Sequence, residues 1–225
     1  MIVDLGIQPS DSPFVETIYQ ARSVGGGSFM STAASQWEMV FTKQQEKITL
    51  SLRGPETKAS PAPIPEDADF LGIIFKHGTF MPRLPGSELV DEEIHLPETL
   101  KNSFQLFGDT WEFPDFENVD TFVNRLIRKD LVTRDQVIGD VMQGKTRDLS
   151  LRSIQRRFLH VTGLTYKSIQ KIERARQALS LLQSGVPIPE TAYQMGYFDQ
   201  PHLTRSLKLL LGQTPAQIVK SNQPE

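Results

Sequence analysis

Residues 196–212 read Gly-Tyr-Phe-Asp-Gln-Pro-His-Leu-Thr-Arg-Ser-Leu-Lys-Leu-Leu-Leu-Gly, and their spacing predicts a helix with two unlike faces. Asp199 is placed to cap it, because its carboxylate can accept from the unpaired amides two and three residues on. Pro201 falls in the first turn, where a missing N–H costs nothing. Leu203, Leu207, Leu210 and Leu211 recur at helical spacing and mark the side that meets a core. Gly212 stands where a helix ends on a left-handed residue. The opposite side carries Gln200, Thr204, Arg205 and Lys208. Gln and Arg form paired hydrogen bonds with adenine and guanine edges, and a Thr methyl can touch thymine. His202, beside Leu203 near the buried side, reads as structural.

Just upstream, Pro189–Met195 is a short helical run with Ala192 and Met195 on one side, closed by Gly196-Tyr197. A short helix, a glycine turn and a second helix with a polar outer face make a helix-turn-helix. Ala192, Met195-Gly196-Tyr197, Asp199-Gln200, His202-Leu203, Arg205, Gly212 and Thr214-Pro215 resemble the second helix-turn-helix signature of the AraC/XylS transcription regulators. The chain departs from that signature at Pro187, where the family has a Ser or Thr cap, and at Thr191, where it has an aliphatic residue.

An earlier stretch repeats the pattern. Thr133-Arg134-Asp135-Gln136 has capping-box spacing and predicts a helix through Val137, Val141 and Met142, closed by Gly144. Ser150 is placed to cap the next helix, with Leu151, Ile154, Phe158 and Leu159 expected inward and Arg152, Gln155 and Arg156 outward. Gln155-Arg156-Arg157-Phe158 with Thr162-Gly163 resembles the first recognition helix of the same family, although Lys145–Leu149 lengthens the turn before it. Between the two motifs, Ile169, Ile172, Ala175, Leu179 and Leu182 predict a linker helix over 165–183, ended by Gly185. At about 1.5 Å per residue it spans about 28 Å, close to the ~34 Å turn of B-DNA once the width of the two motifs is added. The resemblance implies that one chain reads two successive major-groove segments of double-stranded DNA. The residues it implicates are Arg152, Gln155, Arg156, Gln200, Thr204 and Arg205. Arg156 and Arg205 lead, since Arg to guanine is the commonest specific contact. Lys145, Arg147, Lys167, Lys171 and Arg174 are candidates for phosphate. Taken singly, each of these side chains is also what a solvated helix face carries.

Charge divides along the chain. From Lys145 onward 12 Lys and Arg stand against 5 Asp and Glu, a balance of +7. Residues 1–144 hold the other 12 basic residues against 22 acidic ones, a balance of −10. That asymmetry is expected where only the second part meets phosphates, and residues 117–221 are expected to bind duplex DNA. The absence of cysteine excludes disulfides, thiol nucleophiles and Cys-based zinc sites. It also excludes the DNA-repair methyltransferases that carry a similar module, since these need a cysteine acceptor. His77 and His95 form no His-x-His pair, and Gly25-Gly26-Gly27 lacks the Lys of a phosphate loop. Asp91-Glu92-Glu93 reads as a solvated acidic turn. No catalytic residue, cofactor or metal is expected. No stretch approaches 18 uncharged apolar residues, and the N-terminus lacks a basic flank, so the expectation is a cytoplasmic chain without a membrane partner.

The first half reads as β. Val15–Ser23, Trp37–Thr42 and the alternating Ile48–Leu52 predict strands, and the apolar run Phe70–Phe75 predicts a central one. Ala59–Pro65, with prolines at alternate positions, belongs to an edge or a loop. A small sandwich or barrel follows. Gly72-Ile73-Ile74-Phe75-Lys76 and Gly78-Thr79-Phe80-Met81-Pro82 resemble the cupin-like sensor half of the same regulators. Pro97–Phe107 is expected to be helical, and Gly108–Phe116 to be an aromatic connector pinning the two halves. Asn118–Leu131 is amphipathic, and the resemblance makes it the first helix of the DNA-binding domain. The fold expected is therefore α+β, with residues 1–108 a β-rich domain. Residues 109–225 would be an all-α domain with two helix-turn-helix motifs joined by a linker helix. A small organic effector, RNA polymerase and a second copy of the chain are the further partners that the resemblance implies. The residues alone leave another reading open, in which the β half only dimerises or holds a protein and senses nothing. A deep apolar pocket would favour sensing, and a filled core would favour assembly.

Overall fold

The computed structural model describes residues 2–96, 98–100, 103–145 and 149–222. The first half is β: β1 (Ile2–Pro9), β2 (Val15–Ser23), β3 (Gly27–Ser31), β4 (Glu38–Gln44), β5 (Lys47–Arg53), β6 (Ser60–Ile64), β7 (Ala68–Phe75), β8 (Thr79–Phe80), β9 (Glu93–Leu96), β10 (Glu98–Leu100), β11 (Ser103–Leu106) and β12 (Asp109–Glu112). There follow α1 (Val119–Arg128), a short β13 (Thr133–Arg134), α2 (Gln136–Met142), α3 (Leu151–Thr162), α4 (Tyr166–Gln183), α5 (Ile188–Gln194), α6 (Gln200–Leu211) and α7 (Pro215–Ser221). The α+β class and the order of β before α are as the sequence implies.

The main sheet has six antiparallel strands in the order β1-β2-β7-β4-β5-β9, with the apolar run at its centre as β7. Alternation sends Met39 and Phe41 of β4, Leu50 and Leu52 of β5, and Leu71, Ile73 and Phe75 of β7 into one core. On the other face the Tyr19 ring lies across Gly72 and leaves no room for a Cβ there. Its hydroxyl donates to Glu38 at 3.1 Å, and burial, then the Glu38 carboxylate, pushes the phenol pKa up. The proline-rich stretch forms an edge strand, β6, in a two-stranded ribbon with β3. Asp91 occupies a turn at φ 58, but Glu93 belongs to β9 and accepts from Arg53 at 3.0 Å.

Two expectations for 97–116 give way, and the helix after them joins the β half's core. Residues 98–100 and 103–106 are strands, not a helix; Pro97, Lys101 and Asn102 lie outside the described residues. Phe104 and Leu106, two apart, are buried, while Phe107 and Gly108 take φ of 52 and 90 at the tip of a two-residue hairpin. Phe107 therefore imitated a helical spacing from a turn position. Nor is 108–116 a connector, because Trp111 and Phe113 are buried in the same core as the sheet. Finally, α1 closes that same core. Its Phe122 meets Phe41 edge-on at 5.6 Å and Trp111 at 5.7 Å, with Val119, Val123 and Leu126 buried beside it.

The chain forms two compact units. One is Met1–Gly27, Gln36–Pro55 and Pro63–Thr165; the other is Ser28–Ser35, Glu56–Ala62 and Tyr166–Glu225. The units do not part at residue 108. The sheet needs α1 and the hairpin before it to cover its apolar face, and two excursions of the β half, 28–35 and 56–62, belong with the last four helices.

Candidate nucleic-acid interface

The earlier helix-turn-helix lies within the first unit. Asp135 caps α2, accepting from Val137 and Ile138 amides at 2.9 and 3.4 Å. The capping box expected to open at Thr133 does not form, because Thr133 and Arg134 pair as β13 with Phe80 and Thr79 of β8. Asp135 also accepts from Arg157 of α3 at 2.7 Å, tying the two helices together. Ser150 caps α3 as expected, accepting from Ser153 N at 3.2 Å. Phe158, Val161 and Thr162 are buried, but Leu151 and Leu159, expected inward, are 79% and 51% exposed. A short turn (Gly86–Glu88), β8 and α2 lie against the buried stripe of α3. Thr146, Arg147 and Asp148 of the long turn lie outside the described residues.

The later motif lies within the second unit and is built more densely. Thr191 is fully buried, and its hydroxyl donates to Val186 O at 3.4 Å, which satisfies the group that replaces an aliphatic residue. Pro187 precedes α5 without a side-chain cap. At the turn, Gly196 takes φ 65 and Tyr197 is buried, its hydroxyl 3.2 Å from Ser206 of α6. Asp199 caps α6 by accepting from His202 N at 2.6 Å. His202 accepts from Phe198 N at 3.4 Å and meets Tyr197 edge-on, which fits its structural reading. Leu203, Leu207, Leu210 and Leu211 are all buried, and Gly212 ends the helix at φ 73. The linker helix α4 lies against α5, α6 and α7 and buries Ile169, Ile172, Ala175, Ala178 and Leu182. Ala178 takes the buried place expected of Leu179, which is half-buried.

Opposite these buried stripes, Arg152, Gln155 and Arg156 of α3 are exposed, as are Gln200 and Arg205 of α6. Thr204 is half-buried and its hydroxyl donates to Gln200 O at 3.0 Å. Lys167 and Lys171 are exposed, but two other phosphate candidates have partners within the protein. Lys145 stands 3.7 Å from Asp140, and Arg174 lies over the Tyr197 ring at 4.3 Å from its centre. Sequence reasoning passed over Tyr193 and Phe198, which are 81% and 92% exposed on α5 and in the turn before α6. Tyr193 lies outside the apolar spacing of α5, and Phe198 lies in the turn between the helices.

Residues 146–221 match a family model described as a helix-turn-helix domain. This is an AraC-type helix-turn-helix domain. It is a DNA-binding module of transcription regulators, and the AraC-type domain here takes α3 from one compact unit and α4–α7 from the other. Among curated proteins none matches the chain. Among solved structures, ToxT from Vibrio cholerae is similar with a TM-score of 0.45 at 11% identity, over 90% of this chain and 97% of that one. A second crystal structure, of ToxT from Vibrio cholerae O395, gives 0.44 at 11% identity over 92% and 98%. Among the described residues no helix is long and apolar enough to cross a membrane, and no group of three His, Cys, Asp or Glu residues could hold a metal.

Proposed function

We propose that the chain is a transcription regulator that reads duplex DNA through α3 and α6, each lying in a major groove of one site. What carries this reading is that both helices, within an AraC-type domain, turn Arg and Gln away from their buried stripes. Arg156 and Arg205 are assigned to guanine, Gln155 and Gln200 to adenine, Thr204 to a thymine methyl, and Arg152 to a base edge or the adjoining phosphate. Lys167 and Lys171 are assigned to phosphates. Cytoplasmic location, RNA polymerase as partner and self-association belong to the same reading. The test is selection of duplexes from a random pool by the full chain, followed by anisotropy titration at several salt concentrations. A selected motif with two separate blocks and a steep salt dependence is expected; absence of binding at low salt overturns the reading.

For the β half, one observation favours a scaffold over a receptor for a small organic effector. Its core is filled by Trp37, Phe41, Phe75, Phe104, Trp111 and Phe122, and one cavity among the described residues, lined by Trp37, Met81, Leu89 and Val161, measures about 20 Å³. That is room for one water, against the several hundred Å³ of an ordinary ligand pocket. A metabolite screen by thermal shift decides between them. No stabilising compound is expected, and a compound whose effect maps to residues 1–97 would restore the sensing role.

A further inference from the structure

Each recognition helix ends on a left-handed glycine, and in each case a segment of the β half sits on that glycine. In the first unit, α3 ends at Gly163, φ 71. The turn Gly86–Glu88 lies against it so closely that a Cβ on Gly86 would stand 2.5 Å from Val161 O and 2.7 Å from Gly163 N. The side chain of Val90 fills the space beside Gly163 itself. In the second unit, α6 ends at Gly212, φ 73, and a Cβ there would stand 2.5 Å from Met30 Cγ and 3.4 Å from Ala59 Cβ. The last carbonyls of a helix have no partner within it. In α6, Leu210 O accepts from Ala33 N at 2.7 Å and Leu209 O from Ala59 N at 2.9 Å. Ser35, two residues beyond Ala33, donates to Glu173 of the linker helix.

We infer that the β half positions both reading heads, holding each recognition helix at its C-terminal end through residues Gly86 and Val90 for α3 and Met30, Ala33 and Ala59 for α6. These are positioning residues: they lie at the ends of the helices remote from the capped N-terminal turns that carry Arg152 and Gln200, and they act through the helix they hold. A rigid helix gripped at one end delivers a small shift there to the side chains at the other, and direct readout tolerates little displacement. The inference rests on the reading of α3 and α6 as the two DNA-contacting helices. It also gives the −10 half of the chain a part in DNA binding that needs no contact with phosphate.

The test is hydroxyl-radical footprinting of the full chain on its selected duplex, with Arg156→Ala and Arg205→Ala used to assign each half-site to its helix. Gly86→Ala places a methyl against the α3 backbone, which must then shift. It is expected to weaken protection at the α3 half-site about fivefold or more and to leave the α6 half-site within about twofold. Ala59→Pro removes the amide that Leu209 O uses and is expected to give the reciprocal result. Should Ala59→Pro fail to fold, Met30→Ala uncovers Gly212 without touching the backbone and is expected to act in the same direction. A purely structural loss would lower the urea midpoint of the unit that carries the variant along with its half-site protection, and that outcome overturns the inference, which expects the midpoint to hold. So does wild-type protection at both half-sites in all three variants. If the wild-type chain protects no duplex, the reading of function fails first, and the two failures are distinguishable.

Discussion

The two helix-turn-helix motifs solve one problem by different means. The motif at α5–α6 brings its own core: four leucines on α6, Ala192 and Thr191 on α5, and the buried face of α4. The motif at α2–α3 buries little from α3 beyond Phe158, Val161 and Thr162, and takes the rest from the β half, through β8 and the turn at Gly86. α3 leaves Leu151 and Leu159 in solvent, while α6 hides every leucine but Leu209.

The sharpest way to break this comparison is to empty each core. Trp37 and Trp111 are the two tryptophans of the chain, and both are buried in the first unit. Phe158→Ala is expected to cost about 3–5 kcal/mol and to lower the denaturation midpoint followed by tryptophan fluorescence. Leu207→Ala is expected to cost about 2–5 kcal/mol, seen by far-UV circular dichroism, with the tryptophan midpoint held. If Leu207→Ala moved the tryptophan signal as far as Phe158→Ala does, the separate cores would be a fiction.

Next in size are the base-reading arginines. Arg205→Ala and Arg156→Ala are each expected to cost about 1–3 kcal/mol on the cognate duplex and to relax preference at one base position. Competition titrations against single-base variants measure this, and equal losses on cognate and random DNA would remove the arginine from the reading face. The caps come third. Asp199→Ala is expected to destabilise the second unit by about 1 kcal/mol, near the middle of the usual range for a lost N-cap. Ser150→Ala is expected to cost less, since its bond at 3.2 Å is longer than that of Asp199 at 2.6 Å and carries no charge to complement the helix dipole. Urea melts of the two variants test that order. The smallest effect is expected from Lys171→Ala, which should weaken all duplexes alike and reduce the salt slope by about one; a changed base preference would contradict a phosphate role.

Much of the second motif was legible because everything that specifies it is local. The cap at Asp199, the proline in the first turn, the leucine spacing and the glycine stop lie within residues 199–212, and local rules suffice when cap, core stripe and terminator agree. The strands β2, β4, β5 and β7 were legible for a similar reason, since period-two alternation or an unbroken apolar run is a property of a few adjacent residues. The stretch from Phe104 to Leu131 was misread where local spacing met a non-local partner. Phe107 at a hairpin tip satisfied a helical period by accident, and the amphipathic α1 looked like part of the helical half until its apolar face met Phe41 and Trp111.

By itself, then, the sequence determined the class of the fold, the AraC-type motif at residues 196–212 and the outward Arg and Gln side chains, because helix periodicity and capping are short-range physics. Which core each helix joins was decided only by the tertiary structure. The left-handed glycines at 163 and 212 announce two helix ends, but nothing near them in the chain says that Gly86 and Met30 will lie there. Those contacts depend on closing a loop of well over a hundred residues for Met30. Burial of apolar surface selects such partners by shape and area, not by distance along the chain.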